Sequence, residues 1–215
     1  MQKPSHKSKQ HPKSPQNFVP PRPLGGEVRI IGGKWRGRKL PVAKVPGLRP
    51  TPNRIRETLF NWLQADVVGA ICCDLYCGSG ALGIEAASRG ADSVVLIDNH
   101  KEVASIMTTN LQKLNHNDLQ FVAEDVMRFL QQNSKKYYLI FLDPPFKRDL
   151  VNATINSIDL SGCLNDNAKI YIETEAEMKN IDIPDNWHLL KQKTHGQVCY
   201  RLFQFTQQSQ KKRYE

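Results

Sequence analysis

The sequence contains no apolar run long enough to cross a bilayer, and its polar N-terminus lacks the apolar segment of a secretory signal. It has five cysteines without a Cys-x-x-Cys spacing and six scattered histidines, which argues against a disulfide framework and against a metal site. The adjacent Cys72 and Cys73 lie in an apolar run, as reduced structural thiols do. No internal repeat is present. We therefore expect a cytoplasmic protein that binds neither a membrane nor a metal.

Acidic residues are nearly missing from the first quarter of the chain. Residues 1–56 contain 14 lysines and arginines against one acid, Glu27, whereas the remainder contains 16 basic and 20 acidic residues. The net charge of +9 therefore comes from the N-terminal part. This excess either keeps a solvated tail soluble or binds a polyanion. Because it continues past the low-complexity residues into ordered-looking sequence, we favour a polyanionic partner.

Composition divides the 215 residues into four segments, which together fit one domain with an extension. Residues 1–26 are rich in Lys, Pro, Ser and Gln and are predicted to be a disordered basic tail. Residues 27–64 are predicted to form a hairpin around a glycine-rich turn and then a helix, with Thr51 as the N-cap. Residues 65–206 are the predicted main domain, and residues 207–215 a frayed tail.

In the main domain, short apolar runs alternate with amphipathic segments. The runs typical of strands are residues 70–74, 93–98, 119–123, 137–142 and 169–173, and the segments typical of helices are residues 81–89, 101–114, 126–132 and about 150–158. Residues 188–193 and 197–205 are typical of a hairpin around Gly196. Strand–helix alternation with short connections predicts an α/β fold, in which helices cover both faces of a parallel sheet.

The segment from Asp74 to Gly83 follows a predicted strand and opens a predicted helix. Its three glycines match G-x-G-x-x-G in the context that this motif requires, where glycine permits a tight turn and close approach to a ligand. The motif alone is shared by NAD, FAD and S-adenosylmethionine (SAM) enzymes. We expect a cofactor at this loop and at the ends of the next two strands. The candidate cofactor residues are Asp74, Tyr76, Cys77, Gly78, Ser79, Gly80, Asp98, Asn99, Asp125 and Val126.

Two features favour SAM over a dinucleotide. Asp74 precedes the glycines, where it would repel a pyrophosphate and attract the cationic amino end of SAM, and the loop before Gly80 is short. Asp98 ends the second strand 18 residues after Gly80, and it is placed to accept both ribose hydroxyls of either cofactor. Asp125 ends the third strand. It is placed either to accept from the adenine amine or to cap the following helix, and the two roles are compatible.

The sequence Asp143-Pro144-Pro145-Phe146 ends the fourth strand and should therefore face the cofactor. The two prolines stiffen the loop and donate no N–H, so that the Asp143 carboxylate and the Pro144 carbonyl are offered as acceptors. Together they can hold the two hydrogens of an exocyclic NH₂ group and aim its nitrogen at a methyl sulfonium. Phe146 can stack on the base, a contact worth about 1–3 kcal/mol. We interpret these four residues as the catalytic loop of an amino-methyltransferase.

Cys77 has a competing interpretation as a nucleophile, as in enzymes that methylate a pyrimidine carbon. It sits inside the glycine loop, where it would face the cofactor rather than the base. We favour the interpretation of Cys77 as a small thiol that fills a gap. The Asp-Pro-Pro-Phe loop also favours a nitrogen target.

Four stretches, VRIIGGKWRGRKLPV, GLRPTPNRIRETLFNWL, DLYCGSGALGIEAASRGA and FLDPPF, occur in this order. Together they closely resemble the bacterial small-subunit ribosomal RNA guanine-N2 methyltransferases of the RsmD type, over about residues 28–205. The first two stretches are the more specific, because many methyltransferases share the glycine loop and many amino-methyltransferases share DPPF. This chain departs from the family at three positions. Cys77 stands where a small residue such as Ala is usual, Asn53 where an acid is common, and Asp98 where Glu is frequent.

The resemblance implies a Rossmann-like sheet of seven strands with SAM as methyl donor. The implied substrate is the exocyclic N2 amine of a guanine in 16S ribosomal RNA, within the small subunit or its assembly intermediate. The family's motifs place Asp74, Gly78, Gly80, Asp98 and Asp125 on SAM and the Asp143 loop on guanine. The residues implied on the RNA side are Arg36, Arg38, Arg49, Thr51 and Arg54. Nothing in the sequence demands a dimer, and we expect a monomer.

Three alternatives stay open at this point. The first is an amino-methyltransferase of DNA or of another RNA, although the chain leaves no room for a large target-recognition region. The second is an NAD-dependent oxidoreductase, against which Asp74 and the Asp143 loop argue. The third is a non-catalytic RNA-binding module that has kept the same fold.

Overall fold

The computed structural model describes residues 25–48, 50–146, 148–178 and 180–207. Three predictions lie partly or wholly outside the described residues: most of the basic tail (1–24), the candidate Arg49, and the frayed end (208–215). Among the described residues, no helix combines the length and the apolar character needed to cross a membrane.

The described chain forms a seven-stranded mixed sheet and a separate two-stranded hairpin. The elements are β1 (Glu27–Arg29), a 3-10 turn (Gly33–Trp35), β2 (Lys39–Pro41), α1 (Asn53–Trp62), β3 (Ile71–Leu75), α2 (Gly83–Ser88), β4 (Ser93–Asp98), α3 (Lys101–Leu114), β5 (Leu119–Ala123), α4 (Val126–Gln132), β6 (Tyr137–Leu142), α5 (Leu150–Ser161), β7 (Leu164–Glu175), β8 (Trp187–His195) and β9 (Val198–Phe205). The large sheet has the order β5-β4-β3-β6-β7-β9-β8, with β9 antiparallel to both of its neighbours. The predicted α/β fold of seven strands with a small N-terminal hairpin is confirmed.

Helices cover the central strands on both faces, which explains why these strands are continuous apolar runs. On the front face, α1, α2, α3 and the β1–β2 hairpin share one core with Phe141 and Tyr171. On the back face, α4 and α5 share a second core with Ile140 and Ile170. Successive residues of a strand alternate between the two cores, as the pleat requires. Five of the six residues of β6 are buried.

The strand order reverses between β3 and β6. From β3 the chain moves outward to β4 and β5, and it then returns to place β6 on the other side of β3. Ligands of such sheets bind beyond the carboxyl ends of the strands at this reversal. Since Leu75 pairs with Leu142, the residues that follow them, Tyr76 and Asp143, leave the sheet side by side at its carboxyl edge.

The N-terminal extension is held against the sheet domain by buried charges. Glu85 of α2 has a fully buried side chain, whose Oε2 accepts hydrogen bonds from the Ile31 amide at 2.9 Å and from Arg56 at 3.3 Å. Its Oε1 accepts from Arg89 at 2.8 Å. Arg56 is buried as well and also donates to the carbonyls of Arg29 and Thr51. This network joins β1, the residues before α1, and α2.

The 3-10 turn is fixed at the end of α2 by a close approach. The Ser88 hydroxyl donates to the Gly32 carbonyl at 2.6 Å and accepts from the Trp35 amide at 3.0 Å. A Cβ on Gly33 would lie 1.8 Å from the Ser88 carbonyl oxygen, and Gly33 has a φ of +72°. Glycine is therefore required at residue 33.

The prediction that Thr51 caps the first helix is wrong. The N-cap of α1 is Pro52, and no side chain bonds to the first helical amides. The Thr51 hydroxyl instead lies 3.4 Å from Oδ2 of Asp143, and the Thr51 carbonyl accepts from Arg56. A long-range contact has thus taken the place of the local one.

We predict that Glu85→Gln lowers the free energy of unfolding by about 3–5 kcal/mol, because it leaves the buried Arg56 without a counter-charge. Urea unfolding measures this change. The matched control is Glu27→Gln, which removes the Lys39–Glu27 pair (3.1 Å), whose side chains are about half exposed. Exposed pairs contribute roughly 0–1 kcal/mol. Equal destabilisation by the two variants would contradict the anchoring role of Glu85.

Candidate cofactor and base site

The glycine loop between β3 and α2 is held by backbone amides that point at carboxylates and carbonyls. The Cys77 amide donates to the Ile97 carbonyl at 2.8 Å, and the Gly78 amide donates to Oδ2 of Asp98 at 3.0 Å. Gly78 and Gly80 have φ values of +50° and +70°. The loop is therefore tied to the end of β4, and its backbone takes a conformation that favours glycine.

Asp74 lies beneath this loop rather than on its surface. It is 1 % exposed, and its Oδ2 accepts from the Gly83 amide at 2.8 Å, which fixes the start of α2. A Cβ on Gly83 would meet Leu96 at 2.4 Å and Asp74 at 2.9 Å, so that a larger residue would force these two side chains to move. Burial raises the pKa of Asp74 to about 8; the Gly83 hydrogen bond opposes this shift, and the charges of Asp143 and Asp98 add to it. Three carboxyl groups therefore influence one another at this edge.

Asp98 is half-buried at the end of β4, where both of its oxygens accept from backbone amides. Oδ2 accepts from Gly78, and Oδ1 accepts from His100 at 2.9 Å. A carboxylate has about four lone-pair positions, so each oxygen keeps one for a further donor. The following residue, Asn99, is exposed at the same edge.

Asp125 caps α4, as one of its two predicted roles required. Its Oδ1 accepts from the amides of Met127 and Arg128 at 3.0 and 3.1 Å. The residue is exposed, whereas Val126 is buried in the back core. Contact of these two residues with adenine stays a prediction.

The remaining candidates of the glycine loop point into the protein. Tyr76 has a φ of +60°, which is strained for a residue with a side chain, and its hydroxyl bonds to Thr154 of α5 at 2.9 Å. Cys77 and Ser79 are buried. Burial raises the pKa of the Cys77 thiol well above its usual range, which agrees with a gap-filling thiol rather than a nucleophile.

The four residues of the Asp-Pro-Pro-Phe loop after β6 differ in their exposure to solvent. Asp143 is half-buried, Pro144 is buried, and Pro145 and Phe146 are exposed, with 39 % of Phe146 accessible. Burial raises the pKa of Asp143 to about 6, and the Thr51 hydrogen bond opposes this shift. The Asp143 carboxylate is thus partly covered by protein, whereas the Phe146 ring is exposed to solvent.

The predicted RNA residues fall into two places. Arg54 is exposed in the first turn of α1, close to Thr51 and therefore at the carboxyl edge. Arg36 and Arg38 are exposed next to Trp35, which bonds to the last residue of α2 and stacks edge-on against His116 after α3. Both α2 and α3 run back toward the amino ends of the strands. These two arginines therefore lie toward the opposite edge.

Asn53 bonds to Arg56 and not to its neighbour Arg54, which the sequence alone does not indicate. The Asn53 Oδ1 atom accepts from the buried Arg56 at 2.6 Å, so that the residue preceding Arg54 does not position it. Arg56 and Glu85 lie 29 residues apart, and no local pattern links them.

Two lysines of β8 lie near the carboxyl edge of the sheet. Lys191 and Lys193 are exposed and pair through β9 with Tyr171 and Glu173 of β7, which places them on the front face. At about 4.8 Å per strand, Lys193 is roughly 10 Å from Glu173. Residues 187–205 contain no acid. An alternating pattern alone could not show that the outermost strand would end beside the site.

Comparisons with known proteins agree with the fold. The family model described as "Conserved hypothetical protein 95" matches residues 28–204. The chain is 48% identical over 179 residues to ribosomal RNA small subunit methyltransferase D of Escherichia coli (strain K12), covering 83% of this chain and 90% of that protein. It is 45% identical over 183 residues to the protein of the same name from Haemophilus influenzae, covering 83% and 94%. A solved structure from Escherichia coli superposes with a TM-score of 0.78 at 48% identity and covers 85% of this chain and 100% of its own.

We predict that Asp74 makes the ligand-free protein less stable as the pH rises. Since burial raises its pKa to about 8, the folded protein keeps a proton that the unfolded chain has already released. The stabilisation is complete below the ordinary pKa of an aspartate and is lost as the pH rises through about 8. The slope approaches about 1.4 kcal/mol per pH unit for one proton.

Urea unfolding of Asp74→Asn between pH 5 and about 8 tests this prediction. The variant should lack this part of the slope, because Asn accepts the Gly83 hydrogen bond without titrating. The control Asp92→Asn alters an exposed residue and should keep the slope of the unmodified protein. An unchanged slope in Asp74→Asn would contradict the assignment.

Proposed function

The chain belongs to the conserved hypothetical protein 95 family, and from this premise we propose that it transfers a methyl group from SAM to the N2 amine of a guanine in 16S ribosomal RNA. The observation that carries the proposal is the position of Asp143. It leaves β6 beside the glycine loop, at the reversal of strand order, with a buried proline and an exposed aromatic ring after it.

The residues at the carboxyl edge fit SAM as the methyl donor. The glycine loop allows a ligand to approach the backbone of Gly78 and Gly80, and Asp98 keeps acceptor positions for ribose hydroxyls. A cationic amino group near Asp74 would favour its ionised form and offset the cost of burying it. When bound, SAM supplies an electrophilic methyl group on a sulfonium.

The base is held by the loop after β6. Asp143 and the Pro144 carbonyl accept the two hydrogens of the N2 amine, and Phe146 stacks on the guanine ring. Acceptors on both N–H bonds raise the electron density on nitrogen and direct its lone pair toward the methyl group. Positioning and electrostatics supply the catalysis, and Asp143 or solvent takes the proton that the amine releases after transfer.

The substrate surface that this placement supports lies on the front face. Arg54 and the two lysines of β8 flank the loop on either side and are free to contact phosphates near the target base. Neither lysine is paired with a carboxylate among the described residues. Arg36 and Arg38 are proposed as a second, more distant contact along the RNA backbone.

We predict that Asp143→Ala lowers kcat at least about 100-fold, because an acceptor present in the transition state is lost. SAM binding, measured by calorimetry, should stay close to that of the unmodified protein. Methyl transfer is measured with tritiated SAM on small subunits from cells that lack the modification, and the labelled nucleotide is then mapped. The control is Asp92→Asn, an exposed carboxylate at the opposite edge. Turnover near normal in Asp143→Ala would reject the proposed role.

We predict that two pairs of basic residues contribute to RNA binding. Replacing Lys191 and Lys193 by Ala should raise KM for small subunits and make the salt dependence shallower by about one for each lost phosphate contact. Replacing Arg36 and Arg38 by Ala should also weaken binding and flatten the slope, with kcat unaffected. Lys135 and Lys136, exposed before β6 at the opposite edge, are the matched control pair. A salt slope as steep as the control's would remove the tested pair from the RNA surface.

A further inference from the structure

Glu173 is a buried carboxyl group next to the proposed acceptor that the mechanism above does not use. It is 3 % exposed on β7. Leu142 of β6 pairs with Ile172 of β7 in parallel register, so that the next residues, Asp143 and Glu173, lie side by side on neighbouring strands. Phe141 and Tyr171, which lie two residues earlier in the same strands, both face the front core. The two side chains therefore share the front face at the carboxyl edge, and their backbones are about one strand spacing of 4.8 Å apart.

Hydroxyl groups connect the two carboxyls. The Tyr171 hydroxyl donates to Oε1 of Glu173 at 2.8 Å, and both residues are buried. The buried Thr51 hydroxyl donates to Oδ2 of Asp143 at 3.4 Å, and Thr51 also lies close enough to Glu173 to oppose the rise in the pKa of that carboxyl. A threonine hydroxyl has one hydrogen to donate, and it can accept a second hydrogen bond at the same time.

Among the described residues, no ion pair balances this group of acids. Asp74 adds a third carboxyl from β3, and its charge and that of Asp143 both act on Glu173. Arg56 from α1 bonds to the Thr51 carbonyl, not to its hydroxyl, and is paired with Glu85. Arg201 of β9 pairs with Ile172 and bonds to Thr174. Both residues lie on the back face of the sheet, away from the acids. Tyr171 and Tyr200 complete the front-face surroundings.

Two neighbouring carboxyls in such a place keep one proton between them. Burial, followed by the charge of Asp143, raises the pKa of Glu173 well above its ordinary range. The pKa of Asp143 is raised only to about 6. Because Glu173 is 3 % exposed and Asp143 is only half-buried, the retained proton resides on Glu173, the more deeply buried member.

We propose that Glu173 is a positioning residue, a neutral carboxyl group that donates to the Thr51 hydroxyl and thereby turns the hydrogen of Thr51 toward Asp143. The donors then run in one direction, from Tyr171 to Glu173, from Glu173 to Thr51, and from Thr51 to Asp143. This chain holds one oxygen of Asp143 in place and leaves the other to accept from the amine. The inference rests on the proposed role of Asp143 as acceptor.

Four variants test the chain in the full-length protein. Glu173→Ala removes it and should lower kcat by about tenfold or more, the rate effect of one hydrogen bond lost in the transition state. Glu173→Gln can still accept from Tyr171 and donate to Thr51, so that it should recover most of that loss. Thr51→Val should behave like Glu173→Ala, and Thr51→Ser should restore activity. Calorimetry with SAM and thermal unfolding verify that each variant is folded.

The pH profile of kcat separates this role from a merely structural one. In the unmodified protein kcat should fall at alkaline pH, where Glu173 loses its proton and the donor to Thr51 disappears. Glu173→Gln cannot ionise and should lack that alkaline fall. The proposal is overturned if Glu173→Gln is folded, binds SAM and is as slow as Glu173→Ala, or if its alkaline fall is unchanged.

The two levels of inference fail in different ways. If Asp143→Ala keeps normal turnover, the proposed function itself fails. If Asp143→Ala is inactive while Glu173→Ala and Thr51→Val turn over normally, only the hydrogen-bond chain is wrong. Should Glu173→Ala not fold, the comparison of Thr51→Val with Thr51→Ser still decides between the outcomes.

Discussion

The ion pair between Glu85 and Arg56 is the contact on which the arrangement of the site depends. Both side chains are almost completely buried, which would cost several kcal/mol for either ion without its partner. Every polar atom of Glu85 is satisfied by an arginine or a backbone amide. Because α2 directly follows the glycine loop, the same contact fixes the N-terminal extension relative to that loop. The N-terminal extension and the glycine loop are thus held together.

The carboxyl edge of the sheet concentrates acids, and their hydrogen bonds differ in a way that separates their roles. Asp74 and Asp98 accept strong hydrogen bonds of 2.8–3.0 Å from backbone amides, which hold the loop in shape. Asp143 accepts one long contact of 3.4 Å from a hydroxyl. Of these three carboxyl groups, the one with the longest contact is therefore the one that follows β6, where a base amine would need an acceptor.

The sequence predicted the strand ends well because the apolar runs stop where the sheet stops. Asp98 and Asp143 follow such runs directly, and parallel strands bring their carboxyl ends to one edge. The position of Thr51 was predicted wrongly, since a helix-capping pattern is local and its actual partner is 92 residues away. Glu173 was not singled out, because a carboxyl near the end of a strand becomes meaningful only through the register of β6 with β7. Arg56 was unrecognised for the same reason: its partners come from three separate segments.

A single short segment of the extension touches both halves of the site. A Cβ on Gly78 would lie 2.5 Å from a methyl group of Leu48, so the Leu48 side chain packs directly on the glycine loop. Three residues later, the Thr51 hydroxyl reaches Asp143. Three residues after that, Arg54 stands exposed on α1. The spacing matters because an RNA contact at Arg54 can shift the segment only by moving Thr51 or Leu48 as well. Since Arg56 and Glu85 fix the other side of this segment, Arg54, which is proposed to contact RNA, is held in register with Asp143 and with the glycine loop.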